Sequence, residues 1–447
     1  MKNSFYKTGA LALFASVLLT SCDPEVDGTA PSKGEADFAT YVALGNSLTA
    51  GFQDGALYSE GQVNSYPVIL AQQFQAVGGS STFTQPLMAE GVSAGTPGAN
   101  GVPQALVLAP STNCAGEVSL SPKVPGYGDM SVFARPANQG PYNNLGVPGA
   151  KAMHLLAPGY GNPSGLATQP ATANPFFVRF ATSPNTSVLA DAMAQDPTFF
   201  TLWIGNNDVL GYALSGGTGE EPTAPAMFGG AINMILTQLA KDAQGAIANI
   251  PDVSKIPYFT TVPYNALDLD AEKAAQLSGY YKQMDPATEI SFKAGKNPFV
   301  IKEDGVVRQI KPTELILMTV PAAQICEGLG SLIPIEDQYV LSEAELKKIA
   351  DATQAYNTIL KDAANTYSLA HVDFNAYLNR LASGIKIDEV TYAPTMVTGN
   401  VFSLDGIHFT PRGAAIVANE FISAINAKYN ANVPAVDITE YRTVLLP

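Results

Sequence analysis

A serine becomes a nucleophile at neutral pH when an imidazole can take its proton and a carboxylate holds that imidazole in the right tautomer. This chain carries those residue types near its two ends. Ser47 stands in Ala43-Leu44-Gly45-Asn46-Ser47-Leu48-Thr49-Ala50-Gly51, and Asp405 and His408 stand in Asp405-Gly406-Ile407-His408. A tight turn across those last four residues would bring the carboxylate to one ring nitrogen and leave the other free to accept a proton. Each residue also has an ordinary reading. Ser47 can be a turn or helix-capping residue, and Asp405 a helix-start aspartate beside a surface histidine.

The other conspicuous side chains read as structural. His154 suits a helix surface, although it could line a site. His371 opens a short strand, as a core or edge residue. Trp203, the only tryptophan, lies between Leu202 and Ile204 on a buried strand and reads as packing. Three histidines, none beside a cysteine cluster, supply no zinc set, and neither a metal nor a cofactor is expected.

The elements that must position these groups alternate between short apolar runs and longer stretches of helical period, the order of a parallel sheet covered on both faces. Tyr41 to Leu44 reads as the first strand, so Ser47 stands at the carboxyl end of the sheet, where such sheets bind ligands. Tyr66 to Val77 reads as a helix and Phe199 to Ile204 as a buried strand. Ile232, Ile235, Leu236, Leu239, Ala243 and Ile247 recur at helical spacing, predicting a helix over Ala226 to Ala248. Ile256 to Val262, stopped by Pro263, reads as the next strand. Leu346, Ile349, Thr353, Tyr356, Leu360, Ala363 and Tyr367 predict an amphipathic helix leading into a strand at His371 to Phe374. A last helix runs from Pro411 to about Tyr429, with Thr410 as its cap. Gly78 to Tyr142 and Asn265 to Glu343 break this rhythm and read as insertions near 78–142 and 265–343, where substrate selection is expected.

Met1 to Ser21 reads as an export signal: Lys2 and Lys7 precede an apolar core, Ala10 to Leu19, that is too short to span a bilayer. Leu19-Thr20-Ser21-Cys22 resembles a lipobox, so Cys22 is expected to become the lipidated first residue. The expected organisation is a signal peptide over 1–21, an acidic flexible tether over 22–37, a catalytic domain over 38–430 and a tail over 431–447. That address is the bacterial cell envelope, anchored by lipid at the outer membrane on its periplasmic or surface face. A net charge of −15 without a basic patch argues against nucleic-acid partners. The remaining cysteines, Cys114 and Cys326, either pair in an oxidising compartment or stay separate.

Two further segments complete a pattern. Asn144-Leu145-Gly146-Val147-Pro148-Gly149 follows an expected second strand, and Trp203-Ile204-Gly205-Asn206-Asn207-Asp208 closes the third. With Gly45-Asn46-Ser47-Leu48 and Asp405-Gly406-Ile407-His408 they resemble, in order, the four sequence blocks of the SGNH (GDSL-type) hydrolases. The resemblance implies a three-layer α/β/α sandwich with a flavodoxin-like parallel sheet, here carrying two long insertions. It also implies ester hydrolysis with Ser47 as nucleophile, His408 as base and then acid, and Asp405 orienting the ring. The N–H groups of Ser47 and Gly149 and the side-chain amide of Asn207 would form the oxyanion hole. Asn46 departs from the family's usual aspartate at a residue that shapes the turn. Substrate remains open between acyl esters, as for a carboxylesterase or lipase, and acetylated glycans, as for a carbohydrate O-acetylesterase. A surface lipoprotein that only binds through the same cleft is the alternative of another class.

Overall fold

The computed structural model describes residues 30–114, 116–387 and 389–446; the expected export signal and Cys22 lie outside the described residues. Five short runs form one parallel sheet: β1 Tyr41–Gly45, β2 Asn144–Gly146, β3 Phe199–Trp203, β4 Gln244–Ala248 and β5 Ala370–Val372. Their spatial order is β2-β1-β3-β4-β5, with every neighbouring pair parallel. This is the flavodoxin-like order that the resemblance implies. β1 and β3 are buried at every position, because a parallel sheet covered on both faces needs apolar residues without alternation.

Helices α1 Tyr66–Gln75, α2 Asn206–Leu214, α3 Pro225–Asp242, α4 Glu343–Thr366, α5 Phe374–Leu381 and α6 Pro411–Tyr429 surround the sheet. α1 and α6 pack together, Tyr66 stacking on Phe421 with ring centroids 4.9 Å apart. α3 and α4 form the other pair, with Phe228 4.4 Å from Tyr356. α4 starts on a capping box, in which Glu345 accepts from both the N–H and the hydroxyl of Ser342. α6 starts as expected: Thr410 Oγ1 accepts from Gly413 N–H at 3.0 Å and Pro411 occupies the first turn.

Three expectations are corrected. Ile256 to Val262 is not a strand: Pro257–Thr260 is a helical turn, with proline where a helix accepts it. The fourth strand is instead Gln244–Ala248, taken above for the end of a helix. The helix stops at Asp242, and Ala243 is already extended. Ala243 and Ile247 fit a helical period, and a short, wholly buried strand has no alternation to contradict it. The last strand ends at Val372, because Asp373 accepts from Ala376 N–H and caps α5.

Among the described residues, those flanking the expected domain also pack on it. Residues from Pro31 onward belong to one compact unit, so packing begins before Asp37. Glu35 N–H donates to Tyr429 O at 2.8 Å, and Ala36 and Phe38 are buried. Within the expected tail, Val433 and Ile438 join the main core and Arg442 pairs with Glu60. Among the described residues no helix is long and apolar enough to cross a membrane.

Residues 78–142 and 265–343 fold as small two- and three-stranded sheets outside the main sheet, the second with a helix, Ala271–Met284, and its own apolar cluster that includes Leu267, Phe299, Ile301 and Ile316. Cys114, in the turn between strands Val107–Thr112 and Val118–Lys123, is disulfide-bonded to Cys326, 212 residues away in sequence, which joins the two segments. A link closing so long a loop restricts the unfolded chain. Cys114→Ser is therefore expected to cost about 2–4 kcal/mol, read as a lower urea midpoint; an unchanged midpoint would show that the link carries no stability.

Candidate active site

β1 ends at Gly45, and the chain turns immediately into the helical turn Ser47–Ala50. Asn46 caps that turn by accepting from Leu48 N–H at 3.0 Å, while its amide donates to Asn206 Oδ1 at 3.0 Å. Asn46 thus fixes the strand-to-helix corner and ties it to the start of α2. Ser47 is left at the point where the sheet order reverses between β1 and β3, the crevice where such sheets bind ligands.

Asp405 and His408 reach Ser47 from the other end of the chain. Gly406, at φ 70°, permits the turn. Ile407 N–H and His408 N–H donate to Asp405 Oδ1 at 2.9 and 2.8 Å, and Ser403 Oγ donates to the same oxygen at 3.1 Å. Asp405 Oδ2 accepts from Gly55 N–H at 2.7 Å and from His408 Nδ1 at 2.8 Å. A carboxylate can only accept, so Nδ1 carries the ring proton and Nε2 is the bare nitrogen. Nε2 lies 2.8 Å from Ser47 Oγ, within hydrogen-bond reach of the hydroxyl. Burial alone would push the Asp405 carboxyl up. The charge that His408 carries when protonated, its hydrogen bonds and that from Ile407 outweigh burial and hold the carboxyl well below the usual carboxylate range. Phe52 packs 4.7 Å from the imidazole and restricts its rotation.

The expected oxyanion donors stand after the carboxyl ends of three neighbouring strands: Ser47 after β1, Gly149 after β2, and Asn207 in the first turn of α2 after β3. Gly149 has φ 79°, and only Asn174 Nδ2, at 3.9 Å, stands near where a side chain would be, so a substrate can approach its backbone. Among the described residues neither the Ser47 nor the Gly149 N–H has an acceptor within the protein. Asn207 Nδ2 donates one hydrogen to Ala150 O at 2.9 Å, leaving its second for a ligand. The next residue, Asp208, only 2% exposed, accepts from Ala152 N–H at 2.9 Å and so holds the segment after Gly149 against α2. The sequence reading gave Asp208 no role, nor Gly55 or Ser403, although Asp208 lies inside a quoted motif.

Beside Ser47, His408 and Asn207 opens a cavity of about 60 Å³ whose walls are mostly apolar, among them Leu210, Val253, Ile256, Phe374, Leu378 and Leu381. None of its lining residues comes from 78–142 or 265–343. The expectation that the insertions select substrate is thus not met at this cavity, whose walls belong to the helices and loops at the sheet's carboxyl end. Trp203 is fully buried, stacked on Phe374 at 4.3 Å. His154 stacks on Tyr160 and accepts from Lys151 N–H, apart from the cavity. His371 sits on β5, with Nε2 lacking a partner among the described residues.

Comparison with known proteins completes the description. The chain is similar to an acetylxylan esterase from Geobacillus stearothermophilus (11% identity, TM-score 0.36, covering 88% of this chain and 96% of the other). It is also similar to an extracellular lipase from Streptomyces rimosus (13%, 0.33, 87% and 99%) and a lipase/acylhydrolase from Enterococcus faecalis (8%, 0.32, 89% and 100%). No curated protein matches the sequence. Residues 41–421 match the family described as GDSL-like Lipase/Acylhydrolase.

Proposed function

The chain belongs to the GDSL-like lipase/acylhydrolase family and is a hydrolase of ester bonds, and on that premise we propose that it cleaves acyl esters with Ser47, His408 and Asp405 as its triad. The unbroken hydrogen-bond path from Ser47 Oγ through His408 to Asp405 carries this reading. Ser47 Oγ adds to the ester carbonyl as Nε2 takes its proton. The resulting oxyanion is received by the N–H groups of Ser47 and Gly149 and by Asn207 Nδ2, donors fixed before charge develops. The imidazolium, balanced by Asp405, then protonates the leaving alkoxide. Water repeats the sequence on the acyl-enzyme and releases the acid.

The apolar cavity favours an acyl chain over an acetylated glycan. One water-sized group needs about 10–15 Å³ of such space, so 60 Å³ seats roughly four to six atoms. Butanoyl to hexanoyl esters should be the best nitrophenyl substrates. Leu378→Trp, which fills the cavity, should lower kcat/KM for the hexanoyl ester roughly tenfold or more and spare the acetyl ester. Equal losses at every chain length would remove the cavity as the acyl seat, and a wild-type optimum at acetyl would favour the deacetylase.

A further inference from the structure

Behind the triad lies a second carboxylate, on a segment that the ester chemistry does not use. Asp54, in the left-handed conformation at φ 52°, is tied to the Asp405 turn by paired bonds. Its N–H donates to Ser403 Oγ at 2.9 Å, and its Oδ1 accepts from Leu404 N–H at 2.9 Å. The next residue, Gly55, donates to Asp405 itself. Asp54 Oδ2 accepts from Tyr58 OH at 2.8 Å, and Gln53 Nε2 closes the group on the same phenol. Burial raises the Asp54 carboxyl, and the donors from Leu404 and Tyr58, one on each oxygen, offset part of that cost.

We propose that Asp54 is a positioning residue for the catalytic turn: it locks the backbone on which Asp405 and His408 stand and places a second negative charge behind the imidazole. This assignment rests on the ester-hydrolase reading of Ser47, His408 and Asp405. Three bonds join 54–55 to 403–405, and two of them end on Ser403 Oγ and on Asp405 Oδ2, which are themselves partners in fixing the Asp405 carboxylate. A shift of Asp54 is therefore passed to the oxygen that holds Nδ1. The charged and titratable groups around it are Tyr58 on its own segment, Asp405 on the turn, and Arg442 from the C-terminal residues, which is paired with Glu60. Arg442 offsets part of the repulsion between the two carboxylates. It also connects the last residues of the chain to the triad.

The two functions of Asp54 separate in two variants of the full-length protein. Asp54→Asn keeps an acceptor for Leu404 N–H but loses the charge. With less negative potential behind the imidazolium, the acid limb of kcat/KM should move down by roughly 0.5–1 pH unit, with kcat falling less than tenfold. Asp54→Ala also loses the side-chain part of the lock, the acceptors for Leu404 N–H and Tyr58 OH, while the backbone bonds from 54 and 55 remain; kcat should fall by roughly tenfold with KM within twofold of wild type, because the loss is felt in the transition state. A readout without substrate is the downfield Nδ1 proton of His408 by NMR, identified among only three histidines by its loss in His408→Gln. It should persist in Asp54→Asn and broaden in Asp54→Ala. Wild-type kcat, acid limb and Nδ1 signal in both variants would overturn the proposal, as would a fall in thermal stability that leaves all three unchanged. An inactive wild type with the Nδ1 signal still dependent on Asp54 would sink the hydrolase reading while keeping the lock.

Discussion

Ser47→Ala is expected to lower kcat on the best nitrophenyl ester by at least roughly 10⁴-fold and up to about 10⁶-fold, leaving only what substrate binding and the oxyanion donors supply. The hydroxyl makes one hydrogen bond within the site, to His408 Nε2, and Ser47 itself is only partly buried. Its removal should therefore shift the urea midpoint by little. Asp405→Asn should come close to the same loss, roughly 10⁴-fold, for a different reason. An amide in place of Oδ2 can present a donor to Nδ1 and stabilise the wrong tautomer, so that Nε2 holds a proton when it should accept one. Burst-phase release of nitrophenol in the wild type and its disappearance in Ser47→Ala would identify the acyl-enzyme. If Ser47→Ala kept even a tenth of wild-type turnover, the serine mechanism would be wrong.

Asn207→Ala should reduce kcat by roughly 10²–10³-fold with little change in KM, the signature of a donor engaged only when the oxyanion forms. Asn207 also holds Ala150 O, and part of the loss could enter through movement of Gly149. Asn207→Asp separates the two effects. It keeps the size of the side chain but presents acceptors to both Ala150 O and the oxyanion, so it should be at least as damaging as alanine. Recovery of activity in the aspartate variant would remove Asn207 from the oxyanion hole.

The chemistry was more legible in the sequence than its support. Ser47 drew notice because the strand Tyr41 to Leu44 ends just before it, and Asp405 and His408 because their partnership is local, but it was the family resemblance that implied their roles. Gly149 and Asn207 were reached only through resemblance to a family, since a glycine in a turn and an asparagine after a strand say nothing alone. Gly55 and Asp54 were invisible because their partners lie 350 residues away; no period or spacing reports a contact of that range. The same holds for Cys114 and Cys326, whose pairing was left open. The apolar cavity could not be foreseen either, as its walls come from β3, α2, the 251–256 loop, α5, the Asp405 turn and α6. β4 was misread for a local reason: Gln-Gly-Ala-Ile-Ala has no alternation and follows a true helix without a break in polarity.

Ser47 and His408 are 361 residues apart, and that distance is also an interval of time. At roughly 5–20 residues per second of synthesis, the proposed nucleophile exists for about 20–70 s before its proposed base has been made. During that interval Ser47 is an ordinary alcohol, and a chain interrupted anywhere before His408 stays one. With the proposed triad, an unfinished copy cannot attack esters by this route, because the order of the residues along the chain withholds the proton acceptor until near the end of synthesis.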